Sequence, residues 1–577
     1  MDGTHRPTHL ADLVEAAAAG HADHPALVDA VTGATLTWTA FDAAVSAEAR
    51  RLASEGVVAG DRVVVGCADA SAMAVAVLGA LRAGAVAVPV QPADVAAAVA
   101  GCAPRLVVSD EPGAADTADT ATVGPPDLDA RGERVAAVGG GEDLALLVHT
   151  SAGRAVCLSH RALLANRAQA AALRPAPVTP VDRVLLTLPL FHAYGLAGGL
   201  FQVCWAGATA VLPAPGRPDA GQLVDTVARH RVSALAAVPS TYRALLELEP
   251  GRLRTALAGL RLCTCGGVAL PRPWAAAFRE ATGHRIVEGY GLTEAGPVVT
   301  STPLDGVAEA GSVGRPLPGI ELRLVDREGR PLEVPGPAAP RDDAVPVPVA
   351  PDVNGSGAAT PAAGDPAKAE APRPGPGKAD VRTTATRVAT DVRAAAERGV
   401  AEVRAVAERG VAEFRVAADV GLVALRGPNL FSGYWPGCTG GPDADGWFTT
   451  ADMGFLDASG ALHLVDRSSD LVTVSGFTVY PHEVERVLGE LPAVAEAAVI
   501  GVPDERTGQA VRAVVVRAPG ASGPDAPVLD ADAVRAHCRE RLARFKVPTQ
   551  VVFVDELPRT PAGRLARHLL VDRPAGT

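Results

Sequence analysis

The segment Val287-Glu288-Gly289-Tyr290-Gly291-Leu292-Thr293-Glu294 sets a phenol, a hydroxyl and a carboxylate within five residues, with glycines threaded between them. Carboxylates bind hard cations, and hydroxyls hydrogen-bond to phosphate oxygens. Upstream, His149-Thr150-Ser151-Ala152-Gly153-Arg154 joins two hydroxyls, a glycine and a guanidinium in one short stretch, and backbone amides of a glycine-containing turn can cradle phosphate. A histidine, His192, follows Leu188-Pro189-Leu190-Phe191 and precedes Ala193-Tyr194-Gly195-Leu196. Downstream, Gly446-Trp447-Phe448-Thr449-Thr450-Ala451-Asp452 ends on a carboxylate, and Arg467 follows fifteen residues later in Val465-Asp466-Arg467-Ser468-Ser469-Asp470. Near the end lies Leu557-Pro558-Arg559-Thr560-Pro561-Ala562-Gly563-Arg564. Lysine is nearly absent: Lys368, Lys378 and Lys546 stand against fifty arginines, so a step that needs an ammonium group has few candidates.

In this order and at these distances, the segments resemble the adenylate-forming superfamily, which includes acyl-CoA synthetases, luciferases and peptide-synthetase adenylation domains. The resemblance implies ATP, Mg²⁺ and CoA as cofactors and a small-molecule carboxylic acid as substrate. It places Tyr290 and Gly291 on the adenine, Thr293 on a phosphate oxygen and Glu294 on the magnesium ion. Gly266 and Gly267, in Gly-Gly-Val-Ala-Leu-Pro, match the loop that approaches the adenine. Asp452 matches the aspartate that accepts hydrogen bonds from both ribose hydroxyls, and Arg467 the arginine that contacts ribose and phosphate. His192 matches the aromatic gate between the carboxylate and the thiol tunnel, with Gly476 at the entry for the thiol.

Two departures fall on the positions where such proteins carry lysine. The phosphate loop is four residues shorter than the family pattern and lacks its second Thr, its Pro and its Lys, leaving Thr150, Ser151, Gly153 and Arg154 as a reduced cradle. Arg564 stands where the family's catalytic lysine is expected. A planar guanidinium keeps the charge but differs in reach and geometry from a point-like ammonium. At the hinge, Ser469 replaces the usual Asp or Lys.

The elements that must position these residues read as an α/β protein. At 577 residues, more than one domain is required. Short apolar runs such as Arg62–Val65, Ala85–Val88, Leu144–Val148 and Arg183–Leu188, separated by helix-length segments, indicate parallel strands buried between helix layers. The division is a large N-terminal domain over 1–467 and a small α+β C-terminal domain over 468–577, with Ala497–Val502 and Val511–Val516 as strands. Met73 to Val90 is apolar, but Arg82 at its centre, with Gly79, Gly84 and Pro89, makes it a buried helix, turn and strand instead of a membrane span. The net charge of -12 excludes a nucleic-acid partner, and no secretory leader opens the chain, which points to the cytoplasm. The eight cysteines are scattered and Cys263-x-Cys265 has no second ligand pair, so the expectation is buried, reduced thiols and no zinc.

An insert at 332–418 interrupts this pattern. From Glu333 to Glu413 it has no Leu, Ile, Met or aromatic residue. Its Pro/Ala/Gly-rich first part, 332–384, is expected to be disordered. Residues 385–418 repeat every eleven residues and form one helical stripe of Ala and Val. That stripe either binds a lipid surface or a second copy weakly, or lies loosely on its own domain.

Three functions fit the resemblance. One is a synthetase that activates a carboxylic acid with ATP and passes it to CoA, with impaired adenylation. Another is a degenerate homologue that binds nucleotide or acyl-adenylate without catalysis, and the last is acyl transfer to a carrier protein. A fatty acid is favoured over an amino acid, since no acidic residue opens the 188–196 element and the segments 194–201 and 298–302 are apolar or small.

Overall fold

The computed structural model describes residues 7–111, 113, 120–150, 153–214, 219–305, 311–332, 420–467, 470–475, 477–504, 506–518, 529–560 and 565–571. Ser151, Gly476, Arg564 and the hinge residues 468–469 therefore lie outside the described residues, as does the insert from 333 to 419. Leu332 does not belong to that insert. Its amide bonds to Leu324 O and its side chain packs on the core, closing the strand Glu321–Val325.

Two seven-stranded sheets carry the N-terminal part. One runs, by position in the sheet, Ile286–Glu288, Leu262–Cys265, Ala234–Ala237, Arg183–Leu186, Thr209–Leu212, Pro25–Asp29 and Thr35–Thr37, parallel except for the last pair. The other runs Gly433–Tyr434, Ala155–Ser159, Leu144–His149, Val86–Pro89, Arg62–Gly66, Leu106–Ser109 and Ala121–Val123. Its strands 62–66, 86–89, 106–109 and 144–149, parallel to one another, are buried along most of their length, as their continuous apolar runs require of strands covered on both faces. Between the sheets sits the helix Ala70–Arg82, buried almost throughout. Arg82, the residue that argued against a membrane span, is 1% exposed and donates to Asp42 Oδ1 at 2.6 Å. Among the described residues no helix is long and apolar enough to cross a membrane.

A four-stranded antiparallel sheet, Glu321–Val325, Gly421–Arg426, Trp447–Leu456 and Leu462–Arg467, follows. The C-terminal residues form the α+β unit expected. The two strands read at 497–502 and 511–516 extend to Val494–Asp504 and Gly508–Arg517 and pair antiparallel, with Gln550–Val554 parallel to the second.

One expectation is corrected. Cys157 and Cys438 pair as a disulfide across 281 residues, while the other six cysteines are free and buried. The cause is strand pairing: Gly433 lies opposite Cys157 and Tyr434 opposite Val156, which brings the following turn over Cys157. Separation along the chain gave no hint of this contact.

Candidate active site

Four neighbouring parallel strands, 183–186, 234–237, 262–265 and 286–288, end on the same edge of the first sheet. In open α/β sheets ligands bind outside the carboxyl ends of the strands. A cavity of about 300 Å³ opens there. It is lined by the residues that follow each strand end, including His192, Val238, Gly266, Gly267, Tyr290, Gly291, Thr293 and Glu294. Thr150 and Arg154 reach it from the second sheet.

Two of the glycines are needed for the backbone to pass. A Cβ on Gly291 would lie 2.1 Å from Pro297 O, and Gly267 has φ +84°, which side-chain-bearing residues rarely adopt. Thr293–Ala295 form a single 3₁₀ turn that carries Glu294, itself 8% exposed, at the cavity wall.

Tyr290 and Asp452, 162 residues apart, meet directly: the phenol donates to Asp452 Oδ2 at 2.7 Å. Asp452 in turn lies opposite Arg467 in the antiparallel pairing of 447–456 with 462–467. Three residues expected at a nucleotide site are thus neighbours in the fold, and of them Tyr290 lines the cavity.

Glu294 has a partner that sequence reasoning missed. Tyr434, on the short strand beside Ala155–Ser159, donates its hydroxyl to Glu294 Oε1 at 2.8 Å. The guanidinium of Arg154 lies over the Tyr434 ring, 3.9 Å from its centroid. Burial and the neighbouring Glu294 carboxylate push the Tyr434 phenol above its ordinary pKa, so it stays a donor. The only signal in the sequence was a tyrosine in Phe431-Ser432-Gly433-Tyr434-Trp435, which carries no mark of its partner.

The described residues of the shortened loop, Thr150, Gly153 and Arg154, lie between strands 144–149 and 155–159 and bond to one another. Thr150 N donates to Arg154 O, Gly153 N to Thr150 O, and Arg154 N to Thr150 Oγ1. These three amides and the Thr150 hydroxyl are therefore engaged within the turn. Glu288, also in the cavity wall, was not singled out either. Burial, against a hydrogen bond from the Leu270 amide and the charge of Arg272, pushes its carboxyl up to about 7.

The AMP-binding enzyme family model matches residues 14–338, and that of the AMP-binding enzyme C-terminal domain matches 483–564. The chain belongs to the AMP-binding enzyme family. Among its relatives, a long-chain-fatty-acid–CoA ligase of Yersinia pestis is 29% identical over 426 residues, covering 73% of this chain and 59% of that enzyme. A ligase of Mycobacterium tuberculosis that joins CoA to 3-[(3aS,4S,7aS)-7a-methyl-1,5-dioxo-octahydro-1H-inden-4-yl]propanoyl is 30% identical over 453 residues, 77% of this chain and 69% of that one. ATP-bound MatB from Rhodopseudomonas palustris superimposes with a TM-score of 0.74 at 26% identity, over 97% of this chain and 98% of that one. The chain spans less than two thirds of the Yersinia enzyme's length.

Proposed function

We propose that this AMP-binding enzyme couples ATP to the activation of a carboxylic acid, a fatty acid by preference, and transfers the acyl group to CoA. In the first step a carboxylate oxygen attacks the α-phosphorus of ATP, the bond to pyrophosphate breaks, and an acyl-adenylate forms. In the second the CoA thiol, losing its proton, attacks the acyl carbon and AMP leaves. The observation that supports this reading is a single cavity with two kinds of lining. The polar residues Tyr290, Thr293 and Glu294 stand in its wall together with the apolar Leu188, Val203, Ala234, Leu235 and Leu262. An apolar recess suits an alkyl chain.

Tyr290 and Asp452 orient base and ribose, His192 stands between the strand end and the recess, and Arg154 supplies positive charge where triphosphate must lie. The nearly buried Glu294 carboxylate, steadied by Tyr434, fits a hard cation, and Mg²⁺ held there would neutralise phosphate charge. Gly476 and Arg564, expected at the thiol entry and the adenylation step, remain assigned by resemblance.

One observation favours slow adenylation or, at the limit, a nucleotide-binding homologue without turnover. The described amides of the phosphate turn donate to carbonyl and hydroxyl oxygens within the turn, which leaves them poorly disposed to cradle phosphate. The deciding experiment is pyrophosphate release from ATP across a panel of fatty acids, each with and without CoA, and with a carrier protein as the alternative acceptor. Acid-dependent release with thioester formation supports the proposal. Nucleotide binding without acid-dependent release at any enzyme concentration supports the homologue without turnover.

A further inference from the structure

The helix His160–Ala171 starts on a Ser159 cap whose hydroxyl accepts from Ala162 N, and it turns one face into the protein. Leu163, Arg167 and Ala170 lie on that face at steps of four and three. Arg167 is 1% exposed yet lines the cavity, as do Ala170, three residues on, and Gln202, which it meets directly.

Its surroundings do not neutralise it. Nη1 donates to Gln202 Oε1 at 3.2 Å, and Nη2 to Asn166 Oδ1 and, at 3.4 Å, to Gly296 O. All three acceptors are neutral. Nε is buried and makes no hydrogen bond among the described residues. Burial alone acts on the guanidinium, lowering its pKa to about 9, with no carboxylate opposing the shift. A charge in this position would ordinarily be paired, because an uncompensated buried ion has lost its hydration with nothing to replace it. The equally buried Arg82 follows that rule, paired with Asp42.

Resting on the proposed ligase reading, and narrowing its fatty acid to one whose acyl part carries a second oxygen acceptor, the geometry points to Arg167 as the residue that selects this acid, with a second carboxylate the best match. Such a group, placed along the recess away from the reacting carboxylate, would meet the guanidinium in a site with little water. The apolar walls would hold the carbon skeleton between the two ends. A charge-assisted hydrogen bond there is among the stronger kinds, whereas a plain alkyl chain would leave the buried cation unpaired.

The test compares acids of equal carbon number: an alkanoate, the corresponding ω-dicarboxylate and the corresponding keto acid. Each is measured by pyrophosphate release and, separately, by calorimetric binding to the nucleotide-loaded protein. The unmodified chain should favour an oxygen-bearing acid over the alkanoate by tenfold or more in both readouts. The dicarboxylate and keto arms show whether the acceptor is charged or neutral. Gln202→Glu puts a carboxylate where Oε1 now accepts from Nη1, and should erase the preference while keeping the guanidinium and the size of the side chain. Arg167→Met should turn the preference toward the alkanoate. A wild-type preference for the alkanoate, or an oxygen preference that survives Gln202→Glu, overturns the proposal and leaves Arg167 as a brace between helix and loop. If no acid supports pyrophosphate release, the ligase reading fails, and the binding ranking still decides the role of Arg167.

Discussion

At the scale of single residues, the Tyr290–Asp452 hydrogen bond shows what the sequence could and could not reveal. Both residues are expected as nucleotide contacts by resemblance to the family's motifs, an expectation that carries residue types and order but no contacts. Their contact with each other was not legible, nor was the Tyr434–Glu294 pair, since neither partner's type or spacing specifies the other. Arg167 did leave a signal, a cation on the apolar face of a helix, but it needed the fold to show that the face borders a cavity. Asp452→Ala should weaken AMP binding by roughly 1–3 kcal/mol, the scale for stranding polar partners of a lost charged acceptor. Calorimetric titration checks this, and unchanged affinity would remove Asp452 from the site. Glu288 gives a pH prediction. Its folded carboxyl titrates at about 7, well above the ordinary carboxylate range, so the folded state holds a proton that the unfolded state has released. Stability therefore falls as pH rises from the ordinary range toward 7. Glu288→Gln should relieve on the order of 2 kcal/mol of that fall. Thermal unfolding of both proteins at pH 5 and pH 8 reads it, and an equal gap between them at the two pH values would count against the assignment.

At the scale of elements, strands were easier to read than turns. The apolar runs at 62–65, 144–148 and 183–188 became buried strands because continuous apolar sequence suits a sheet covered on both faces. The phosphate turn was legible as shorter than usual, but not as a closed set of hydrogen bonds, since hydrogen-bond pairing within a loop is a property of its backbone path. The disulfide was hidden for a similar reason, because it depends on the two-residue strand Gly433–Tyr434 finding Ala155–Ser159. Lengthening the turn by four residues at 151–155, with glycines and hydroxyls, should free amides for phosphate and raise the adenylation rate at least tenfold, or about 1.4 kcal/mol of barrier. Stopped-flow pyrophosphate detection measures it, and no gain would shift the fault from the turn to Arg564. Excising 333–383 concerns a stretch without large apolar side chains, so it should leave Tm within about 5 °C. A larger drop would show that this segment contributes to the core.

At the scale of the whole molecule, the strand ends of one sheet and the turn of a second line one cavity whose wall carries both polar and apolar residues, and Asp452 on the antiparallel strand 447–456 joins it through its hydrogen bond with Tyr290. The central claim is that this arrangement performs both half-reactions, with adenylation the weaker because of the closed turn and the guanidinium at Arg564. Thioester formation from acyl-adenylate does not need the triphosphate cradle. The most direct test measures both half-reactions in one preparation: pyrophosphate release from ATP and acid, and thioester formation from supplied acyl-adenylate and CoA. The account predicts that both proceed, that the first is at least tenfold slower than the second, and that Arg564→Lys accelerates only the first. Adenylation as fast as thioester formation, or neither reaction above background, would contradict it.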